Sequence, residues 1–93
     1  MYFYVAKHTY GITKNQVLAM STAQHNSCAI CGKPQERRLH IDHDHKTSAV
    51  RGLLCARCNT GLGVFKEQPE LLRKAAFYLE SREEFDARKI YAA

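Results

Sequence analysis

Two cysteine pairs constrain this chain more than any other feature. Cys28 and Cys31 have two residues between them in "CAIC", Cys55 and Cys58 likewise in "CARC", and 23 residues separate the pairs. A chain of 93 residues buries a limited core, and domains of this size commonly lean on a metal, on disulfides or on association. Two thiolate pairs close a tetrahedral zinc site with no open position, as a structural site requires. The spacing between the pairs is slightly longer than the commonest one for such sites. A redox motif uses a single pair in a thioredoxin-like setting, and no such pattern surrounds either pair. Disulfides belong to oxidising compartments. The apolar start "MYFYVAKH" is too short for a signal peptide and carries Lys7, which points to a cytoplasmic protein with reduced thiols. Structural zinc on Cys28, Cys31, Cys55 and Cys58 is therefore the expectation, contributing on the order of 10 kcal/mol to folding. It would pin a knuckle at the first pair to a helix start at the second and enclose everything between in one loop.

Length predicts a single domain over residues 1–93. Residues 1–10 read as an edge strand or a packed arm. Thr13 with Gln16 three residues on, flanked by Ile12 and Val17, is a capping-box and staple signature, so a helix is expected from about Lys14 to about Gln24. Gly32 and Pro34 close the first cysteine turn. "RLHID" and "AVRGLL" are short strand-like runs around the polar turn "HDHKTS" and predict a hairpin. A short helix is expected from Cys55 onward, weakened by Gly61 and Gly63. "QPELLRKAAFYLES" is the clearest helix, with Pro69 at its first position. Leu71, Leu72, Ala75, Ala76 and Leu79 line one face, expected to be core. The tail 82–93 extends that helix, frays or docks on a partner.

Between the cysteine pairs lies the second informative stretch, "HIDHDHKT". Three of the five histidines and two of the three aspartates fall within His40–His45. Hydrolysis of a phosphodiester needs a cation to neutralise phosphate charge, a base to deprotonate water, and a group to orient that base. An aspartate oxygen suits magnesium, which takes few protein ligands and keeps several waters. An imidazole suits the base, because histidine ordinarily titrates near working pH. Asn59, directly after the last cysteine, offers a second oxygen ligand. In a regular strand Asp42 and His43 point to opposite faces, so a site using both requires the strand to end or bend there. The plainer reading is a second metal-binding patch or a polar hairpin tip with no chemistry.

The segments "CAICGK", "LHIDHDHKT", "VRGLLCARCN" and "LG" together resemble the HNH, or ββα-metal (His-Me finger), nucleases, and more narrowly the phage recombination endonuclease VII family. The likeness runs from about Tyr10 to about Glu80. It implies an α+β fold, a small zinc-stabilised ββα-metal domain with flanking helices. It also implies that Asp42 and Asn59 hold a catalytic magnesium or manganese ion, that His43 is the general base, and that His45 contacts the phosphate or stabilises the transition state. His40 supports the site or simply sits on the strand. Two departures stand out. Ser48 occupies a turn position where the family usually has glycine, and Leu62 stands where endonuclease VII has a glutamate three residues after the asparagine.

The formal charge of +5 and pI of about 9.2 favour an anionic partner. Lys46, Arg51, Arg57, Arg37 and Arg38 surround the cluster in sequence and are the candidate phosphate contacts, which give affinity without sequence specificity. No apolar run is long enough to span a membrane. The leading reading is a magnesium-dependent endonuclease nicking or cutting double-stranded DNA, branched forms included, with weak sequence preference. The alternative is a non-catalytic zinc-stabilised DNA-binding or adaptor module. A homodimer is open on either reading.

Overall fold

The structure, a computed structural model, describes residues 1–91. It is an α+β fold. Its elements are α1 (Tyr2–Tyr10), α2 (Lys14–Ala23), β1 (His40–His43), β2 (Val50–Leu54), α3 (Ala56–Val64), α4 (Pro69–Ser81) and α5 (Ala87–Ile90). Its contacts gather into two compact units, Met1–Gly61 and Leu62–Ala93.

The first unit holds the core. Residues 2–10 form a helix, neither the strand nor the arm expected from their aromatic run. The helix ends at Gly11, which takes the left-handed conformation at φ 69. The amides of Gly11 and Ile12 then reach back to Lys7 and Ala6, which closes the last turn. Ala6 is fully buried. Tyr2 Oη donates to the Leu39 carbonyl at 3.0 Å, and the Arg38 guanidinium lies 4.8 Å from the ring centres of both Tyr2 and Phe3. These contacts outweigh the β preference of the aromatics.

Helix α2 starts as expected. Thr13 Oγ1 accepts from the Gln16 amide, and Gln16 Oε1 accepts from the Thr13 amide. Ile12 and Val17 flank this capping box and are both buried. Beyond α2, His25 and Asn26 are both left-handed, and the chain turns into the cysteine knuckle. Gly32 at φ 72 permits the tight turn, the Gly32 amide bonds the Cys28 carbonyl, and Ser27 pairs with Pro34 across it.

Strands β1 and β2 form an antiparallel hairpin: His40 faces Leu54, Ile41 faces Leu53 and Asp42 faces Gly52. The register then slips, so that His43 faces Val50 and Arg51 is the extra residue of a bulge. Gln24 crosses from the end of α2 to the Leu53 backbone. A Cβ on Gly52 would meet Gln24 Oε1 at 3.3 Å, so the glycine keeps that crossing open. Leu39, Leu53, Leu54, Cys28 and Cys55 complete the core with Ala6, Ile12 and Val17.

In the second unit, Pro69 opens α4 as expected. The helix is amphipathic, but its apolar face is not the core that was anticipated. Leu72 and Ala75 are half-buried, and Leu71, Ala76 and Leu79 are exposed. Periodicity identifies an apolar face but not its cover. After Ser81 the chain turns. Asp86 then caps the short α5 by accepting from the Arg88 amide, so the tail does not simply continue α4. Its last two positions, 92–93, lie outside the described residues.

Candidate metal centre and active site

Cys28 and Cys31 come from the knuckle, Cys55 from the end of β2, and Cys58 from the first turn of α3. Their four sulfurs all lie within 4.8 Å of one another, and the Cys31 and Cys55 sulfurs are 4.0 Å apart. A tetrahedral zinc ion with bonds of about 2.3 Å requires sulfur–sulfur edges of about 3.8 Å. The group therefore fits, and these four residues can hold structural zinc. Backbone amides support the sulfurs: Ile30 donates to Cys28 and Cys58 donates to Cys55, each at 3.4 Å. Burial raises the Cys28 thiol, but backbone hydrogen bonds at Cys55, Cys31 and Ile30 outweigh it and bring the group down to about 6. Cys58 is pushed up to about 12 by burial and by the neighbouring sulfurs. Four thiolates this close repel one another strongly, and a dication relieves that repulsion.

The Asp/His stretch lies within the loop, between Cys31 and Cys55, that this cluster closes. Asp42 lies on β1 just before the bulge. Both its oxygens are taken by Arg51: Nε donates to Oδ2 at 2.8 Å and Nη2 to Oδ1 at 3.0 Å. The carboxylate is only 12% exposed. The bulge explains the pair. Without it Arg51 would face His43, on the face opposite Asp42.

His43 is half-buried. Its ring centre lies 5.0 Å from that of Tyr10 and 4.7 Å from that of His45. Sequence reasoning did not single out Tyr10 as a site residue, because its position beside His43 depends on the packing of α1. The only available signal was its place next to Gly11, where the chain must turn.

Asp44 is a turn residue. Its Oδ1 accepts from the Lys46 and Thr47 amides at 2.7 and 3.1 Å. Donation from Thr47, then from Lys46, holds its carboxyl below the usual carboxylate range. Ser48 has φ 65, so the turn needs the left-handed geometry that glycine adopts more easily.

Asn59 follows Cys58 on α3, half-buried, its amide bonded to the Cys55 carbonyl at 2.9 Å. The structure thus brings the four cysteines together and sets His43 beside His45, while Asp42 is joined to Arg51. Among the described residues, the cysteines are the one cluster of three or more His, Cys, Asp or Glu that can hold a metal ion. Lys46, Arg57 and Arg37 are exposed. Arg38 also carries the two aromatic rings of α1, and His40 is exposed at the start of β1. No helix among the described residues is long and apolar enough to cross a membrane.

The chain belongs to the recombination endonuclease VII family, whose sequence model matches residues 5–81. It is similar to the Gene 59 protein of Mycobacterium phage D29, at 45% identity over 74 residues, and to the Gene 59 protein of Mycobacterium phage L5, at 42% identity over 74 residues. Each alignment covers 76% of this chain and 45% of the relative, so the chain spans less than half the length of these relatives. No solved structure matches it. Membership supports a nuclease or DNA-binding role.

Proposed function

We propose that this chain is a divalent-metal-dependent endonuclease that hydrolyses DNA phosphodiester bonds. The observation that carries the reading is the bulge at Asp42 and His43. It bends the strand between the adjoining carboxylate and imidazole of Asp42 and His43, and the same hairpin runs directly into the cysteine cluster and Asn59.

In this reading Asp42 and Asn59 hold magnesium or manganese. The ion, when bound, neutralises charge on the phosphate and the leaving oxygen. His43 takes the proton of the attacking water. Tyr10 and His45, on its ring, restrict its orientation, and His45 hydrogen-bonds a phosphate oxygen. Zinc on the four cysteines keeps the hairpin and α3 in register. Lys46 and Arg57, exposed on the turn and on α3, contact DNA phosphates, with Arg37, Arg38 and Arg51 as further candidates. The substrate is double-stranded DNA, branched forms included, read with weak sequence preference. Reduced cysteines fit a cytoplasmic setting.

The test is incubation of zinc-loaded protein with supercoiled plasmid and with a four-way junction, with magnesium or with EDTA. Cleavage only with magnesium supports the reading, and the nicked-to-linear ratio separates one active centre from a symmetric pair. Intact DNA under every condition overturns it. The chain is then a zinc-stabilised DNA-binding or adaptor module, a reading favoured by one observation: Arg51 already occupies both oxygens of Asp42.

A further inference from the structure

Arg51 does more than brace the hairpin. Its bidentate grip covers a carboxylate that is 12% exposed, while Arg51 itself is 38% exposed and faces solvent. Its Nη1 also lies 4.0 Å from Asp44 Oδ2. The guanidinium thus stands between two carboxylates, tightly on one and loosely beside the other. The bulge at Asp42/His43 creates this arrangement, because it brings Arg51 onto the face of Asp42. Bulges of this kind commonly re-aim a side chain next to a site.

A dication brought to Asp42 meets a cation already in place, and the two repel. The guanidinium has alternatives. It can lean on Asp44, or it can take a phosphate, whose oxygens match its donor fork as a carboxylate does.

We propose that Arg51 is a counterion lock on Asp42 that couples divalent-cation binding to DNA binding. Without DNA, Arg51 holds the carboxylate oriented and charge-balanced, and opposes cation uptake. A DNA phosphate draws the guanidinium away and frees Asp42 for the cation. Linkage makes the effect reciprocal: DNA tightens the cation, and the cation tightens DNA to the same factor. The proposal rests on the reading that Asp42 holds a divalent cation.

The test measures manganese binding to the zinc-loaded full chain by electron paramagnetic resonance. It compares wild type, Arg51→Met, Arg51→Lys and Asp42→Asn, without DNA and with a short duplex. The duplex arms are built on a His43→Ala background so that the DNA stays intact. Melting temperature and zinc content confirm folding of each variant. The expected result is that Arg51→Met binds manganese roughly tenfold more tightly than wild type without DNA, in the usual range of coupling between sites. Arg51→Lys, which keeps the charge but loses the fork, falls between the two. The tightening by duplex seen in wild type shrinks in Arg51→Met.

Unchanged or weaker manganese binding in Arg51→Met, with binding still lost in Asp42→Asn, overturns the lock alone. Manganese binding that Asp42→Asn leaves intact overturns the lock together with the assignment of Asp42 as a metal ligand.

Discussion

Gln24 pairs with Leu53 as a neighbouring strand would. Its Oε1 accepts from the Leu53 amide at 3.0 Å, and its Nε2 donates to the Leu53 carbonyl at 2.9 Å. The same Nε2 bonds the Ser27 carbonyl at 2.9 Å. One side chain therefore ties the end of α2, the entry to the first cysteine turn and the middle of β2. Gln24→Ala strands a polar amide beside the core, at a cost of about 1–3 kcal/mol. Gln24→Glu keeps the acceptor but turns both donor contacts into repulsions, and is expected to cost at least as much. Chemical denaturation of the zinc-loaded protein measures both, and an unchanged midpoint for either variant contradicts this role.

Zinc should be worth more than any of these hydrogen bonds, on the order of 10 kcal/mol. Purified protein is expected to carry one zinc ion per chain and to lose its helical circular dichroism on chelation. Cys58→Ser is expected to reduce zinc retention and stability sharply. A chelated chain that keeps both its spectrum and its melting transition argues against a structural metal.

Ser48 sits at φ 65 in the hairpin turn, its amide bonded to the Asp44 carbonyl at 2.7 Å. A side chain in this region costs about 1–2 kcal/mol, partly offset by the greater freedom of glycine in the unfolded chain. Ser48→Gly is expected to stabilise the protein by about 0.5–1 kcal/mol, and Ser48→Val to destabilise it. Melting temperatures of the two variants decide the point.

Asp44 sets a pH dependence. Donation from the Thr47 and Lys46 amides lowers its carboxyl in the folded chain. The unfolded chain therefore binds the proton first as pH falls. The stabilising contribution is fully present above the unfolded value of about 3.9, and it is lost as pH falls through the lower folded value. Stability measured from pH 6 downward is expected to fall less steeply in Asp44→Asn than in wild type. Equal slopes contradict the assignment.

Much of the frame was legible because its signals are local. Cysteine spacing, the Thr13–Gln16 box, the polar turn between two apolar runs and Pro69 each act within a few residues. What the sequence withheld depends on distant contacts. Tyr2 and Phe3 look like strand residues until Arg38 and Leu39 meet them. Gln24 looks like an ordinary helix end until Leu53 is opposite. The slip that makes Arg51 the extra residue of the bulge has no residue-type signature, and it determines that Arg51 reaches Asp42. The exposed face of α4 shows the reverse case, a clear periodicity whose expected burial does not occur. At the candidate site, the sequence singled out Asp42, His43 and Asn59, but Tyr10 beside His43 and Arg51 on Asp42 became specific only in three dimensions.

The measurement that bears most directly on the account is the cleavage rate of His43→Ala against wild type. Both are zinc-loaded and supplied with magnesium, and DNA binding is measured in parallel on a labelled duplex. Removal of a general base slows such reactions by roughly 10²–10⁴-fold. The account predicts a loss of that size with DNA affinity and folding retained. A folded His43→Ala that cleaves plasmid as fast as wild type would contradict it.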